Sequence, residues 1–245
     1  MPVIVREFGD FALTFAWGGT DDTILGSKAS YEDWGRIPSI AEAPTNIIYA
    51  GDGNDLVFAG FGNDIVLGGG GNDRIFGHGT GGPTPGADEV IAFLHDSDYL
   101  NGGAGDDYIQ GGGGQDIIIG GRGNDELHGG DDDDTIFGGT GDDILQGGGG
   151  SDIMTGGAGA DTFLFALAPG TPDAAFPGDP ADIITDFESG TDVIDLSGYN
   201  VAAGGATIET VDTGLLVSFD FFGETFEISV LGVTALQDGD ILYAA

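Results

Sequence analysis

Gly102 to Leu164 reads GGAGDDYIQ-GGGGQDIII-GGRGNDELH-GGDDDDTIF-GGTGDDILQ-GGGGSDIMT-GGAGADTFL, seven nonapeptides in unbroken succession. Each follows Gly-Gly-x-Gly-x-Asp-x-U-x, where U is apolar. An earlier block, AGDGNDLVF-AGFGNDIVL-GGGGNDRIF, fills Ala50 to Phe76. Between the blocks lies a Gly/Pro-rich interruption, residues 77–92, and then a worn repeat, FLHDSDYLN, that runs in register into Gly102. Ala41 to Tyr49 fits as another worn copy with Asn46 in the aspartate position, and GGTDDTIL (18–25) as a broken one with Asp22. Self-similarity at a fixed short period is the mark of a solenoid, in which each unit buries its apolar face only against its neighbours.

The unit can be read residue by residue. Glycine at positions one, two and four permits φ > 0, so the backbone can turn tightly with its carbonyls aimed inward. Positions two and four are Gly51 and Gly53, Gly60 and Gly62, Gly69 and Gly71, Gly103 and Gly105, Gly112 and Gly114, Gly121 and Gly123, Gly139 and Gly141, and Gly148 and Gly150. One repeat has Gly130 followed by Asp132 in place of the second glycine. Position six is an aspartate, a hard oxygen ligand suited to a hard cation. The x-U-x tail supplies one rung of a stacked parallel sheet. Its position-eight residues, Val57, Val66, Ile75, Leu100, Ile109, Ile118, Leu127, Ile136, Leu145, Met154 and Phe163, are all apolar and point inward.

Two nonapeptides make one turn, so residues 18 apart lie above one another. Asp98, Asp116, Asp134 and Asp152 then form one column, and Asp107, Asp125, Asp143 and Asp161 the other. Three gaps in each column give six sites, and the front block adds Asp55 with Asp73 and Asn46 with Asp64, so about six to eight ions are expected, each in oxygen-only coordination. The columns are expected to break at the interruption, where Asp73 meets Ile91 eighteen residues on. Sites of the front block are therefore expected to be weaker. Turn formation alone explains one Asn-Asp or Gly-Asp; it does not explain like-charged columns that repel when no cation lies between them.

Composition agrees. Asp plus Glu number 42 against five Lys plus Arg, a formal charge of -37, and the last basic residue is Arg122. No basic patch for nucleic acid or anionic lipid can be built from this, and multivalent cations are the expected counter-charge. With no cysteine, disulfides and thiolate zinc sites are excluded. Met1 to Asp10 has neither a basic region nor an apolar core of signal-peptide length, and no apolar run is long enough to span a membrane.

The nonapeptide is identified as the calcium-binding repeat of RTX proteins, which implies calcium as the ion. Beyond Leu164, GADTFLF (Gly159–Phe165), Asp182–Phe187 and Gly190–Ser197 resemble, in order, the C-terminal domain of serralysin-type secreted metalloproteases. Asp182-Ile183-Ile184 and Asp192-Val193-Ile194 keep the Asp-x-U signature, which adds Asp182 and Asp192 to the candidate ligands. The resemblance implies export through a one-step type I channel, guided by an uncleaved C-terminal signal in Leu236–Tyr243, and so an extracellular or cell-surface protein of a Gram-negative bacterium. The protease half of that family is missing: His78, His95 and His128 form no H-E-x-x-H helix. With no Ser-His-Asp arrangement, no Gly-x-Ser-x-Gly and no cysteine nucleophile, no enzyme activity is expected.

The expected fold is all-β, a calcium-stapled parallel β-roll in three parts: an N-terminal cap (1–49), the roll (50–164) and a C-terminal antiparallel cap (165–245). Turns at Thr213-Gly214 and Phe222-Gly223 delimit that cap, which should close the end of the roll. Of the outward positions, Ile117, Ile119, Phe137 and Ile153 make one face greasy, while Tyr108, Gln110, Glu126, His128 and Gln146 make the other polar. The greasy face is expected to be covered by the C-terminal strands or by self-association. The function expected is that of a free-standing secreted calcium-binding protein. A calcium-dependent accessory module of a secreted hydrolase or epimerase, or a surface adhesin, is the alternative.

Overall fold

The computed structural model describes residues 4–8, 11–15, 23–25, 45–60, 63–78, 97–166, 182–199, 201–221 and 224–244. Their strands, numbered along the chain, form two sheets. One has twelve strands in the order β1 (Ile4–Phe8), β2 (Phe11–Phe15), β4 (Thr45–Asp52), β6 (Ile65–Gly70), β8 (Tyr99–Ala104), β10 (Ile117–Arg122), β12 (Thr135–Thr140), β14 (Ile153–Ala158), β16 (Asp182–Ile184), β20 (Glu224–Leu231), β19 (Gly214–Phe221) and β18 (Ala206–Val211). The other has nine, in the order β3 (Thr23–Leu25), β5 (Leu56–Gly60), β7 (Arg74–His78), β9 (Tyr108–Gly113), β11 (Glu126–Asp131), β13 (Ile144–Gly149), β15 (Thr162–Leu164), β17 (Val193–Asp195) and β21 (Ile241–Leu242). Consecutive repeats alternate between the sheets and pair in parallel with the repeat after next, so Ile118 faces Ile136 and Leu127 faces Leu145. The molecule is a parallel β-roll.

The alternation of the tail explains the core. Position eight points between the sheets and its neighbours point out, which is the period-two rule of a strand. Ile48, Val66, Leu100, Ile118, Ile136, Met154 and Ile184 are stacked in one sheet and Ile24, Val57, Ile75, Ile109, Leu127, Leu145, Phe163 and Ile194 in the other, all at 0% exposure. Each such side chain contributes about 1.5–3 kcal/mol by burial. The core is only as thick as these two columns.

The interruption does not break the roll. β6 pairs with β8 and β7 with β9, so residues 34 apart occupy the places that 18 apart occupy elsewhere. The extra 16 residues (34 − 18) fall between rungs. Strand β7 runs on through Gly77 and His78, so the repeat that starts at Gly77 resumes with Asp98 as its sixth residue. This overturns the expected break at Asp73. Its partner is Asp107, because rung stacking follows sheet pairing and not distance along the chain.

At the C-terminal end β18, β19 and β20 form an antiparallel meander, and β20 joins β16 in parallel. The Thr213-Gly214 turn lies between β18 and β19; Phe222 and Gly223 lie outside the described residues. The meander prolongs the twelve-stranded sheet from its edge and does not fold over its face. Tyr49, Ile65, Ile117, Phe137 and Ile153 on that face stay roughly 40% exposed. The expected cover by these strands is therefore not what the chain does: a strand that completes an edge cannot also lie across the sheet. At the other end β1 and β2 pair antiparallel and β2 stacks on β4, while Ile24 of β3 enters the core column. Asp22 lies outside the described residues.

Candidate metal centres

The aspartate columns are continuous from end to end. In one, each main-chain N–H donates to the Oδ1 of the next member: Asn46 to Asp64, Asp64 to Asp98, then Asp116, Asp134, Asp152 and Asp182, over 2.6–2.9 Å. The other runs Asp55, Asp73, Asp107, Asp125, Asp143, Asp161 and Asp192 over 2.7–3.0 Å. One oxygen of each carboxylate is thus fixed by the neighbouring rung. The second, Oδ2, is buried without a hydrogen-bond partner in Asp55, Asp64, Asp73, Asp107, Asp116, Asp125, Asp134, Asp143, Asp152 and Asp161. Burying an unpaired charge is costly, and ten of them stacked in line demand a cation.

Main-chain oxygens complete the arrangement. At Gly129 an added Cβ would overlap both Asp134 Oδ2 and, at 2.5 Å, the carbonyl oxygen of Gly147. The same pair, carboxylate and next-rung carbonyl, lies beside Gly68, Gly77, Gly111 and Gly138. Position one is therefore glycine for space. Its φ is not positive, contrary to the expectation that all three glycines serve backbone conformation. Positions two and four do have positive φ, as at Gly121 (119°) and Gly123 (120°), and direct their carbonyls along the roll axis toward the glycines of the next rung. Among the described residues no three His, Asp or Glu side chains converge. A bound ion must then take carbonyls as well as carboxylates, which is the oxygen-rich set that calcium accepts and zinc does not.

The carboxyls feel the crowding. Burial foremost, with repulsion from Asp116 next, pushes Asp134 up to about 10. Asp107 and Asp143 rise to about 7, and Asp73 and Asp125 to about 6; burial is the largest cause, set against a backbone hydrogen bond.

The ends of the columns differ. Asn46 Nδ2 donates to Asp64 Oδ1 (2.8 Å) and to the Ala59 carbonyl (3.0 Å), so its amide supplies donors where the other rungs have a bare carboxylate. At the far end Asp192 Oδ2 accepts from the Glu188 amide. Beyond it Asp240, 2% exposed, accepts from the Ser189 hydroxyl (2.6 Å) and the amides of Gln237 (2.7 Å) and Gly190 (2.9 Å). Burial alone would raise its pKa, but these three donors outweigh burial and hold it below the ordinary value. Asp186 accepts from the amides of Gly156 and Gly157 in the same manner. Neither Asp240 nor Asp186 was among the residues the repeat pattern selects. Asp240 precedes its inward residue by one position, whereas repeat aspartates precede theirs by two.

His128 is on the outer face of the nine-stranded sheet, hydrogen-bonded to Gln146 (2.9 Å) and Glu126 (3.0 Å), away from both columns. The His78 side chain and His95 lie outside the described residues.

Fold and donor set together define a cation-stapled repeat solenoid. The model of the RTX calcium-binding nonapeptide repeat matches residues 45–79, 96–127 and 128–163. Through these repeats the chain belongs to the RTX calcium-binding proteins. Among solved structures it is similar to the AlgE6R3 subunit of the mannuronan C5-epimerase from Azotobacter vinelandii, at 28% identity over 62% of this chain and 83% of that one; the TM-score of 0.36 adds nothing to the fold argument. No curated protein matches. Among the described residues no helix is long and apolar enough to cross a membrane.

Proposed function

We propose that this protein is exported unfolded and folds outside the cell around calcium, without an active site of its own. The observation that carries the reading is the set of ten buried Oδ2 atoms without partners. Without cations the columns repel and the glycine-rich chain loses much entropy on ordering; with cations between rungs both costs are offset together. The ligands are the position-six aspartates from Asp55 to Asp192, with the carbonyls of the glycines and Asp132 at positions two and four. Five Asp–Asp gaps in one column and six in the other support about ten ions, more than the six to eight that a broken roll would hold. Export by a type I channel suits a chain kept unfolded where calcium is scarce. Circular dichroism on the chelated chain should be coil-like and should turn to β as calcium reaches the sub-millimolar to millimolar range of extracellular sites. A chelated sample with its full β signal would sink the proposal.

A second reading, a module that docks on another polypeptide, is favoured by the exposed row Tyr49, Ile65, Ile117, Phe137 and Ile153. Phe137→Glu would abolish such an association while leaving calcium uptake intact.

A further inference from the structure

Asp132 is the one non-glycine residue with positive φ among the described residues. It occupies position four, where the glycines of the other rungs hold φ between 108° (Gly114) and 148° (Gly159). A side chain excludes that region, and Asp132 retreats to 75°, in the left-handed well that aspartate and asparagine tolerate better than most residues. The retreat loosens the rung: Gly114 N–H reaches the Asp131 carbonyl at 3.2 Å, while the corresponding bonds elsewhere measure 2.6–2.9 Å. Glycine would sit here without strain, so the aspartate requires a different reason. A strained residue that the surroundings maintain points to function.

The reason lies in the site above it. The Asp132 carbonyl is aimed at Gly150 on the next rung, the path that the glycine carbonyls follow in the other turns. Two residues on is Asp134, 1% exposed, whose Oδ2 is buried without a partner beside the Gly147 carbonyl. Asp116 below and Asp152 above flank it in the column. The charge of Asp132 bears on Asp134 as well. This turn therefore brings one more carboxylate to its site than a turn with glycine at position four, and affinity for calcium grows with ligand charge.

We infer that Asp132 makes the gap between Asp134 and Asp152 the tightest calcium site of the roll, the last to release its ion. The inference rests on the calcium reading above. The test uses the full chain, loaded with calcium and dialysed against buffers of falling free calcium, with bound ions counted per chain. The wild type should keep one ion below the free calcium at which the others leave. Asp132→Asn keeps the left-handed backbone and removes the charge; Asp132→Gly removes both charge and strain. Both variants should bind the same total at saturation and release the retained ion at about tenfold higher free calcium. If either variant retains the last ion as tightly as the wild type, or the wild type shows no retained ion, the inference is overturned. A wild type that takes up no calcium at all overturns the proposed function too, and so the two failures are distinguishable.

Discussion

The amide of Asp73 donates over 2.7 Å to Oδ1 of Asp107, 34 residues further along the chain, and the amide of Asp55 makes the equivalent bond to Asp73 across 18. The column does not register the difference. The inserted residues lengthen the chain without adding a rung.

Shortening the insertion should therefore be tolerated. Removing 16 residues within 79–96 restores the 18-residue spacing and leaves every described rung in place. We expect calcium stoichiometry to be unchanged and the thermal midpoint to rise slightly, because the shorter loop costs less entropy to close. Equilibrium dialysis and a melting curve in saturating calcium check this; loss of two or more ions would show that the insertion supplies ligands.

Asp73 and Asp125 should be equivalent. Both are interior members of one continuous column, so Asp73→Asn and Asp125→Asn are each expected to lower stability in saturating calcium by about 1–3 kcal/mol, the cost of an unsatisfied buried group. Denaturant unfolding of the two variants side by side gives the comparison. A much milder Asp73 variant would mean that the front block is uncoupled after all.

Protons and calcium compete for the columns. Asp107 and Asp143 have folded pKa values of about 7 against an ordinary 3.8, burial being the largest cause. An acid whose pKa rises on folding takes up a proton when the chain folds, so the metal-free roll is favoured at low pH and loses that stability as pH climbs from about 4 to 7. Calcium must displace the same protons, so its apparent affinity falls as pH drops through 7. In chelator, β signal should be greater at pH 5 than at pH 8; with calcium, the folding midpoint should need more ion at pH 6 than at pH 8.

Glycine at position one is a matter of room. Gly111→Ala places a methyl group on Asp116 Oδ2 and on the Gly129 carbonyl, whereas the nearest atom to a Cβ on Gly70 is Asp52 Oδ1 at 3.3 Å. We expect the first change to cost about 1–3 kcal/mol and one bound ion, and the second to be nearly silent. Ion counting and calorimetry on the pair provide the readout.

Neighbouring residues on opposite faces should behave oppositely. Ile136 is fully buried and Phe137 is 39% exposed. Ile136→Ala should destabilise the loaded roll by about 2–5 kcal/mol, while Phe137→Glu should stay within about 0.5 kcal/mol of the wild type. A large loss from Phe137→Glu, together with a change in sedimentation, would identify that face as an interface.

Much of this was legible in the sequence because the repeat is its own ruler. A period of nine with an apolar residue at position eight fixes which side chains, from Val57 to Phe163, enter the core. Aspartate at position six fixes the two columns. What escaped reading was non-periodic. Counting 18 residues from Asp73 lands on Ile91, and only strand pairing reveals that Asp107 stands there instead. Asp240 escaped because its spacing to Ile241 is one short of the repeat rule, in a tail that resembles an export signal. The exposed row around Phe137 was legible as apolar, but its cover was assigned to strands whose hydrogen bonds are spent on the sheet edge.

The satisfied carboxylate of Asp240 bears on how the molecule avoids growing. Identical rungs in parallel register are, in principle, a template for head-to-tail polymerisation, since the last turn of one copy could accept the first turn of another with an ion between them. Here the terminal acceptor is already filled by Ser189, Gln237 and Gly190, and the neighbouring sheet ends in an antiparallel meander that a parallel rung cannot extend. The chain thus ends its own lattice at that end, and added calcium tightens single molecules without knitting them into a fibre.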